Sequence, residues 1–438
     1  MNVRRPRGLL PLRHPRFRLL VAGQLGSNVG DAFYAVALPW YVLSTHGGVV
    51  LLATVLAAYG VPRTVLLAVG GHASDRWRPW TVMMASDTVR CAVLVALAVV
   101  AATATPEAAT LVPIAAVLGA GEGLFLPGSM AIVPSLLPGD DLQAGNALSS
   151  GALQLATLIG PGIGGVVVAF GGASIAFAID AASFALSAIT LLGIRRASEP
   201  ALSVIGEIDH APTTRDGPDR PDRPDRPSLR EVLTNERVLW VILAVSTAAN
   251  LGSGGMADVA LPALAHGPLR SGAAGYGVIV AGFGAGALIG TLLAAQLRTP
   301  SRPAVVASIS FLIEAAAMAA TPFLGTTGAV AGALVVIGAC NGFGNVLTLT
   351  VFQRWAPPHL IGRLSGLIML ASYGVFPISV LSAGLVVHAD GPTPLFLIAA
   401  ALLAVALAGG LTQRSWRQFG VANPSAPAAP ATRTASTL

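Results

Sequence analysis

Residues 119–172 of this chain recur at 338–391 with one constant shift. The matched pairs are Gly119 and Gly338, Ala120 and Ala339, Gly123 and Gly342, Pro138 and Pro357, Leu148 and Leu367, Gly165 and Gly384, Val167 and Val386, Val168 and Val387, and Gly172 and Gly391. Further upstream the match continues at a slightly different shift, as Val36-Ala37-Leu38-Pro39 against Val259-Ala260-Leu261-Pro262 and Arg78-Pro79 against Arg302-Pro303. A few residues were gained or lost between the copies. Two copies of one unit must fold as two alike halves. The matched stretches are long and apolar, so the repeated unit is a set of membrane helices, an arrangement that puts a substrate path between the halves.

Composition agrees: 54% of residues are hydrophobic and 11% are charged, against roughly 25% charge in a soluble domain. The mean hydropathy is +0.72. Apolar runs of about 20 residues, the length that crosses a hydrocarbon core, predict helices at 18–43, 49–70, 80–101, 110–133, 144–170 and 173–194. The second copy gives 238–260, 274–297, 303–323, 328–352, 364–388 and 393–413. The expected fold is an all-α membrane protein with twelve transmembrane helices in two six-helix pseudo-symmetric halves. Its segments are a basic N-terminus (1–17), a first half (18–196), a linker (197–236), a second half (237–413) and a disordered tail (414–438).

Every Lys/Arg cation is arginine, and its distribution sets the orientation. The N-terminus carries Arg4, Arg5, Arg7, Arg13, Arg16 and Arg18, and Arg76/Arg78, Arg195/Arg196, Arg298/Arg302, Arg354/Arg363 and Arg414/Arg417 occupy every second connection and the end of the last span. Arg270 is the exception. Both termini are therefore expected in the cytoplasm of a multi-pass protein of the plasma membrane, the inner membrane of a bacterium. The high isoelectric point, about 10.1, then reflects loops facing an anionic leaflet, with no nucleic-acid partner implied.

A basic start followed by an apolar run also describes a secretory signal, but this run is long, is interrupted by Gln24, Asn28 and Asp31, and has a repeat counterpart at 238–260. Cys91 and Cys340 lie in separate helices and offer neither a disulfide framework nor metal spacing. No nucleophile–base pairing and no phosphate-cradling glycine loop is present in the sequence, so no enzyme, metal or cofactor is predicted. The linker repeats Pro-Asp-Arg three times over 218–226. Such a run cannot pack a core and is expected to be a solvated tether, with a short helix over 229–233.

Polar side chains at mid-membrane depth carry sharper information, because a carboxylate there costs roughly 2.5–3.5 kcal/mol on insertion scales. Gln24, Asn28 and Asp31 share one helical face, as do Asn341, Asn345 and Thr348 in the tenth span, and Glu122 is the repeat counterpart of Asn341. The two stripes are expected to face one another across a central cavity. Gln154 and Asn250 are further candidate substrate contacts, and Tyr34 and Phe125, one turn beyond Asp31 and Glu122, would supply aromatic walls. Asp31 and Glu122 are the candidate proton carriers. Asp87 and Arg90, one turn apart, are expected to neutralise each other. Asp180 and Glu314 receive no role.

Several short stretches resemble the major facilitator superfamily, within its enterobactin-exporter-like and macrolide-efflux-like branch. Gly71-His72-Ala73-Ser74-Asp75-Arg76-Trp77-Arg78 is similar to the family's loop signature between helices 2 and 3, although Pro79 and Trp80 stand where basic residues are common. Gly160-Pro161-Gly162-Ile163-Gly164-Gly165 resembles its antiporter signature in helix 5, with Ala156 in place of a glycine. Gly30-Asp31-Ala32, Asp87 to Arg90 and Gln353-Arg354 leading to Gly362-Arg363 are also similar. The resemblance implies a gate in which Gly71 lets helix 2 turn, Asp75 and Arg76 latch onto the eleventh helix near Arg363, and Gly160, Pro161, Gly164 and Gly165 make helix 5 a bend that rocks. The family's partner arginine early in helix 4 is missing. The resemblance further implies a secondary transporter that moves an amphiphilic drug, macrolide-like or siderophore-like molecule outward; with no ATP site in the sequence, an ion gradient is the expected driver, proton entry foremost by way of Asp31 and Glu122, and a monomer is expected. Nutrient uptake, facilitated diffusion and a non-transporting sensor are the alternatives.

Overall fold

A computed structural model describes residues 7–45, 47–76, 79–103, 105–205, 229–296, 300–357 and 360–419. Helices dominate: α1 (Pro15–Ser44), α2 (Gly48–Arg76), α3 (Pro79–Thr103), α4 (Ala108–Leu136) and a long α5 (Gly139–Ile205) bent at Gly172 make the first half. A short α6 (Leu229–Asn235) precedes the second half. That half comprises α7 (Arg237–Gly255), α8 (Leu261–His266), α9 (Gly272–Gln296), α10 (Pro303–Ala320), α11 (Thr327–Trp355), α12 (Ile361–Tyr373), α13 (Phe376–Asp390) and α14 (Thr393–Thr412), with α15 (Arg414–Arg417) after it. Among the described residues, ten segments are long and apolar enough to cross a membrane. One of them, Ala144–Ile194, is broken at Gly172 and supplies two crossings. α1, made less apolar by its polar face, completes the twelve.

The outer surface fits a bilayer. Ile189, Leu385 and Val405 are 62%, 68% and 71% exposed, a condition lipid tolerates and water does not. Inside, α1 packs along both arms of α5, α2 along α4, and α3 along α4 and α5; α9 packs along α11, α10 along α11 and α14, and α7 along α13 and α14. The halves meet where α5 touches α9 and where α2 touches α13.

The sequence repeat reappears as backbone geometry. Gly172 and Gly391, repeat partners, both take φ 77° with an extended ψ. Gly48 and Gly272 share φ of 75° and 68°. These left-handed positions suit glycine, which has no Cβ to clash. The repeated glycines on α4 and α11 have a packing role. A Cβ on Gly119 or Gly123 would overlap the carbonyl oxygens of Tyr59 and Arg63 on α2, and one on Gly338 or Gly342 would overlap those of Phe283 and Ala287 on α9. Small residues thus let each helix pair approach at backbone distance. One residue breaks the register: Asn28 and Gly30 match Asn250 and Gly252, a step out of phase with Val36 and Pro39 against Val259 and Pro262. A π-turn at Met256–Ala260 between α7 and α8 takes up the extra residue, as i→i+5 turns do.

Two expectations need correction. The chain does not leave α2 at Gly71; the backbone stays helical through Arg76. Arg76 is the last described residue of α2, and Pro79, whose fixed φ suits a first helical turn, opens α3. At the linker's start, α5 remains helical to Ile205, and at its end α6 spans the segment read as a short helix. The Pro-Asp-Arg run and the tail beyond 419 lie outside the described residues.

Candidate functional site

Charge is concentrated inside the first half. Arg90 on α3 reaches Asp31 on α1, Nη2 to Oδ1, at 2.6 Å, and its guanidinium lies 3.9 Å from the centroid of the Phe184 ring. Its side chain is 5% exposed whereas that of Asp31 is 42% exposed, so the pair has one member sealed in protein and one open to the space between helices. Arg63 on α2 meets Glu122 on α4 at 3.0 Å, and the Tyr59 hydroxyl donates to the other Glu122 oxygen. Pairing each buried cation with a carboxylate offsets desolvation that neither charge tolerates alone. Arg63 also reaches the other half: its guanidinium lies 4.5 Å from the Tyr373 ring and interacts electrostatically with Asp258 in the π-turn.

Arg90 therefore pairs with Asp31 rather than with Asp87, contrary to expectation. Asp87 instead accepts from Ser187 on the second arm of α5 at 2.6 Å, and its other oxygen has no partner among the described residues. Side chains one turn apart still point some 60° from each other around the axis, and here they find different neighbours.

The second half is organised around a cavity of about 620 Å³ lined by α7, α10, α11, α12, α14 and α15. Asn250, Asn341, Asn345 and Thr348 all line it. Asn341 donates to Glu314 Oε1 at 3.1 Å, and Asn345 donates to the Asn341 oxygen at 2.9 Å. Glu314 is 3% exposed, and its Oε2 has no partner among the described residues. The two polar stripes are thus each engaged within their own half: Asp31 turns to α3 and Asn341 to α10.

Glycines set the seams. A Cβ on Gly165 would come 2.9 Å from the Gly277 Cα, and one on Gly284 would come 2.5 Å from the Thr157 carbonyl oxygen, so α5 and α9 touch backbone to backbone. Pro161 presents its carbonyl to Gly277. Gly160 and Gly164 face the opposite way, against Ala32 and Phe33 of α1. At the other seam Gly60 meets the Phe376 ring, Gly384 meets the Ala53 methyl, and the Thr64 hydroxyl donates to the Tyr373 carbonyl at 3.1 Å.

Other sequence candidates fall as follows. Tyr34 packs against Tyr59 and Phe177, at centroid distances of 6.5 and 5.9 Å. Phe125 packs against the apolar cluster of Phe17, Leu20 and Met83. Gln24, Asn28 and Gln154 are half-buried on α1 and α5. The side chains of Asp75, Arg76 and Arg363 lie outside the described residues, as does the implied latch. The sequence reading passes over Arg63 and Asp258 and gives Glu314 no role. Each is a lone charge inside an apolar run, and Glu314 is also the repeat counterpart of Arg90.

Two pseudo-symmetric six-helix halves with charged and polar groups buried between spans define a membrane transporter rather than an enzyme. The model of the Major Facilitator Superfamily matches residues 20–380, and the chain belongs to that family. It is 29% identical over 396 residues to the multidrug efflux pump Tap of Mycobacterium tuberculosis, covering 88% of this chain and 90% of the relative. It is 25% identical over 361 residues to the enterobactin exporter EntS of Salmonella typhimurium, covering 81% of each. Among solved structures, a POT family transporter in complex with a thioalcohol-conjugated peptide superposes with a TM-score of 0.68 at 13% identity, over 90% of this chain and 95% of that one. A bacterial homologue of the iron transporter ferroportin, inward-facing, gives 0.66 at 15%, over 93% and 99%. At such identities the superpositions speak for the fold alone.

Proposed function

We propose that the protein exports an amphiphilic small molecule by alternating access, driven by proton influx. Efflux is supported by the names of its relatives, a multidrug efflux pump and an enterobactin exporter. The arginine-rich connections orient both termini to the cytoplasm. The protein works as a monomer in the lipid bilayer, with the first half (18–196) and second half (237–413) rocking about their two seams, and the 197–236 linker tethering them.

The proton reading rests on one observation: Asp31 is a carboxylate open to the space between helices whose cation, Arg90, is sealed in protein. A proton arriving on Asp31 removes the charge that holds Arg90, and Glu122 stands in the same relation to Arg63. Either event rearranges the interior of the first half, the kind of two-state element that a bound proton can bias. Gln24, Asn28, Asn250, Asn341, Asn345 and Thr348 serve substrate binding in this reading, with Tyr34, Phe125 and Gln154 contributing to the walls. Asp75 and Arg76 latch against the start of α12 near Arg363.

Reconstituted vesicles test it. Under an imposed pH gradient the wild type should move a macrolide-like, siderophore-like or cationic dye substrate uphill, and an uncoupler should abolish this. Asp31→Asn should equilibrate substrate down its gradient and fail to drive it uphill. Full proton-driven transport by Asp31→Asn, Glu122→Gln and the double variant would remove both carboxylates from coupling.

A further inference from the structure

The cavity of the second half is the repeat image of the charge network of the first, with the charges taken out. Under the repeat shifts, Asp87 corresponds to Phe311, Arg90 to Glu314, Glu122 to Asn341, Asp180 to Ala399 and Phe184 to Leu403. All five second-half residues line the cavity. In the first half Arg90 has a partner, Asp31. In the second half the matching position carries the opposite charge, and Ser253 or Gly254 stands where Asp31 stands. Glu314 consequently lacks the equivalent ion pair and keeps one hydrogen bond, from Asn341, with Oε2 bare among the described residues.

A carboxylate oxygen buried without a donor is costly until something supplies a donor or a positive charge. Among the described residues no arginine or histidine lines the cavity, and Glu314 is its single carboxylate, too few hard ligands to hold a divalent metal ion. The remaining wall is apolar and aromatic, with Phe311, Phe352, Tyr373 and Trp416. Aromatic faces attract cations as well as apolar bodies. The Trp416 indole N–H is already spent on Ser308 at 3.0 Å, which leaves its ring for packing.

The geometry points to this cavity as the binding site for a monocationic amphiphile, whose positive group takes the position against Glu314 that Asp31 takes against Arg90 in the first half. Asn341 and Asn345 orient the carboxylate, and the aromatic wall takes the flat apolar body. The volume, about 620 Å³, lies in the range of drug-sized sites. This names the substrate class within the export reading, on which it rests, and it moves the charge-recognising residue from the α1 face to α10.

Binding separates the two ideas because it needs no gradient. Purified full-length protein is titrated with ethidium, a permanent cation, and under nitrogen with dihydroethidium, its near-isosteric neutral form, by fluorescence anisotropy. Wild type should bind ethidium at least about tenfold more tightly than dihydroethidium, the scale expected when a desolvated charge keeps its partner. Glu314→Gln should erase that preference and leave dihydroethidium affinity unchanged, with a thermal melt reporting that the variant is folded. Should Glu314→Gln not fold, Glu314→Asp should retain the preference, and Trp416→Phe should reduce quenching of tryptophan emission by bound ethidium. Equal wild-type affinity for the two dyes, an undiminished preference in folded Glu314→Gln, or quenching unchanged in Trp416→Phe each overturns the assignment. Failure of proton coupling in Asp31 variants leaves it standing.

Discussion

The two seams between the halves are built at repeat-equivalent positions yet packed differently. Where α5 crosses α9, Gly165 lies on Gly277 and Gly284 on the Thr157 backbone; where α2 crosses α13, Gly384 lies on the Ala53 methyl and Gly60 on the Phe376 ring. Under the repeat shifts Gly165 and Gly284 of the first seam correspond to Gly384 and Gly60 of the second, whereas Gly277 corresponds to Ala53. One seam is main chain against main chain. The other has side chains between the helices, and adds the Thr64 hydrogen bond and the stacking of Arg63 on Tyr373. Backbone contact fixes distance and admits little sliding, whereas interposed side chains can change rotamer. In the export reading the first seam is the pivot and the second is the clasp.

The largest effect is expected from filling the pivot. A side chain at Gly277 would drive into the Pro161 carbonyl, 2.5 Å from the added Cβ. Gly277→Leu should reduce vesicle transport more than about tenfold at matched protein levels, since the backbone opposite cannot yield. Normal transport would mean that the seam is not a pivot.

Next comes Arg63, which serves both the first half and the clasp. Arg63→Met leaves Glu122 with Tyr59 alone. It should destabilise the protein by roughly 2–4 kcal/mol in chemical unfolding, somewhat below the loss for a fully buried pair. Adding Glu122→Gln should recover part of that. No recovery would indicate that Arg63 matters through Tyr373 instead.

The comparison itself is sharpened by a matched pair. Gly284→Ala should cost about 1–3 kcal/mol, because its Cβ meets fixed backbone. Gly60→Ala should cost less than about 1 kcal/mol, because its Cβ meets the Phe376 ring, which can turn. Equal melting shifts for the two variants would erase the distinction between the seams.

Thr64→Val is the smallest test. Removing one neutral hydrogen bond to the Tyr373 carbonyl should cost about 0.5–1.5 kcal/mol, and should leave transport through the pivot intact. A transport loss as large as that of Gly277→Leu would make the clasp, not the pivot, the controlling seam.

The fold is largely legible in the chain because its signals are periodic and local. Apolar runs set the spans, and the repeat of Gly172 at Gly391 marks the break that separates the fifth and sixth crossings. The ion pairs are not legible, since a partner on another helix leaves no trace in spacing: Asp87 and Arg90 look like neighbours, yet one turns to Ser187 and the other to Asp31. Arg63 escapes notice because arginine in such a chain reads first as a loop marker. Glu314 reads in the sequence as an isolated carboxylate with no charge one turn away, although the repeat alignment gives it the position of Arg90. The polar stripe of α11 is visible as a stripe, but the side chain to which it turns belongs to α10 and can be read only in three dimensions.

The extra residue in the π-turn between α7 and α8 has a consequence for how a ligand sits. One residue added to an unbroken α-helix would turn everything before it by about 100°, but the π-turn absorbs it, so α7 keeps the facing of its counterpart in α1. Asn250 and Ser253 therefore stay on the wall of the second-half cavity, on the side of the helix that Asn28 and Asp31 occupy in the first half, and the added residue costs a ligand none of these contacts.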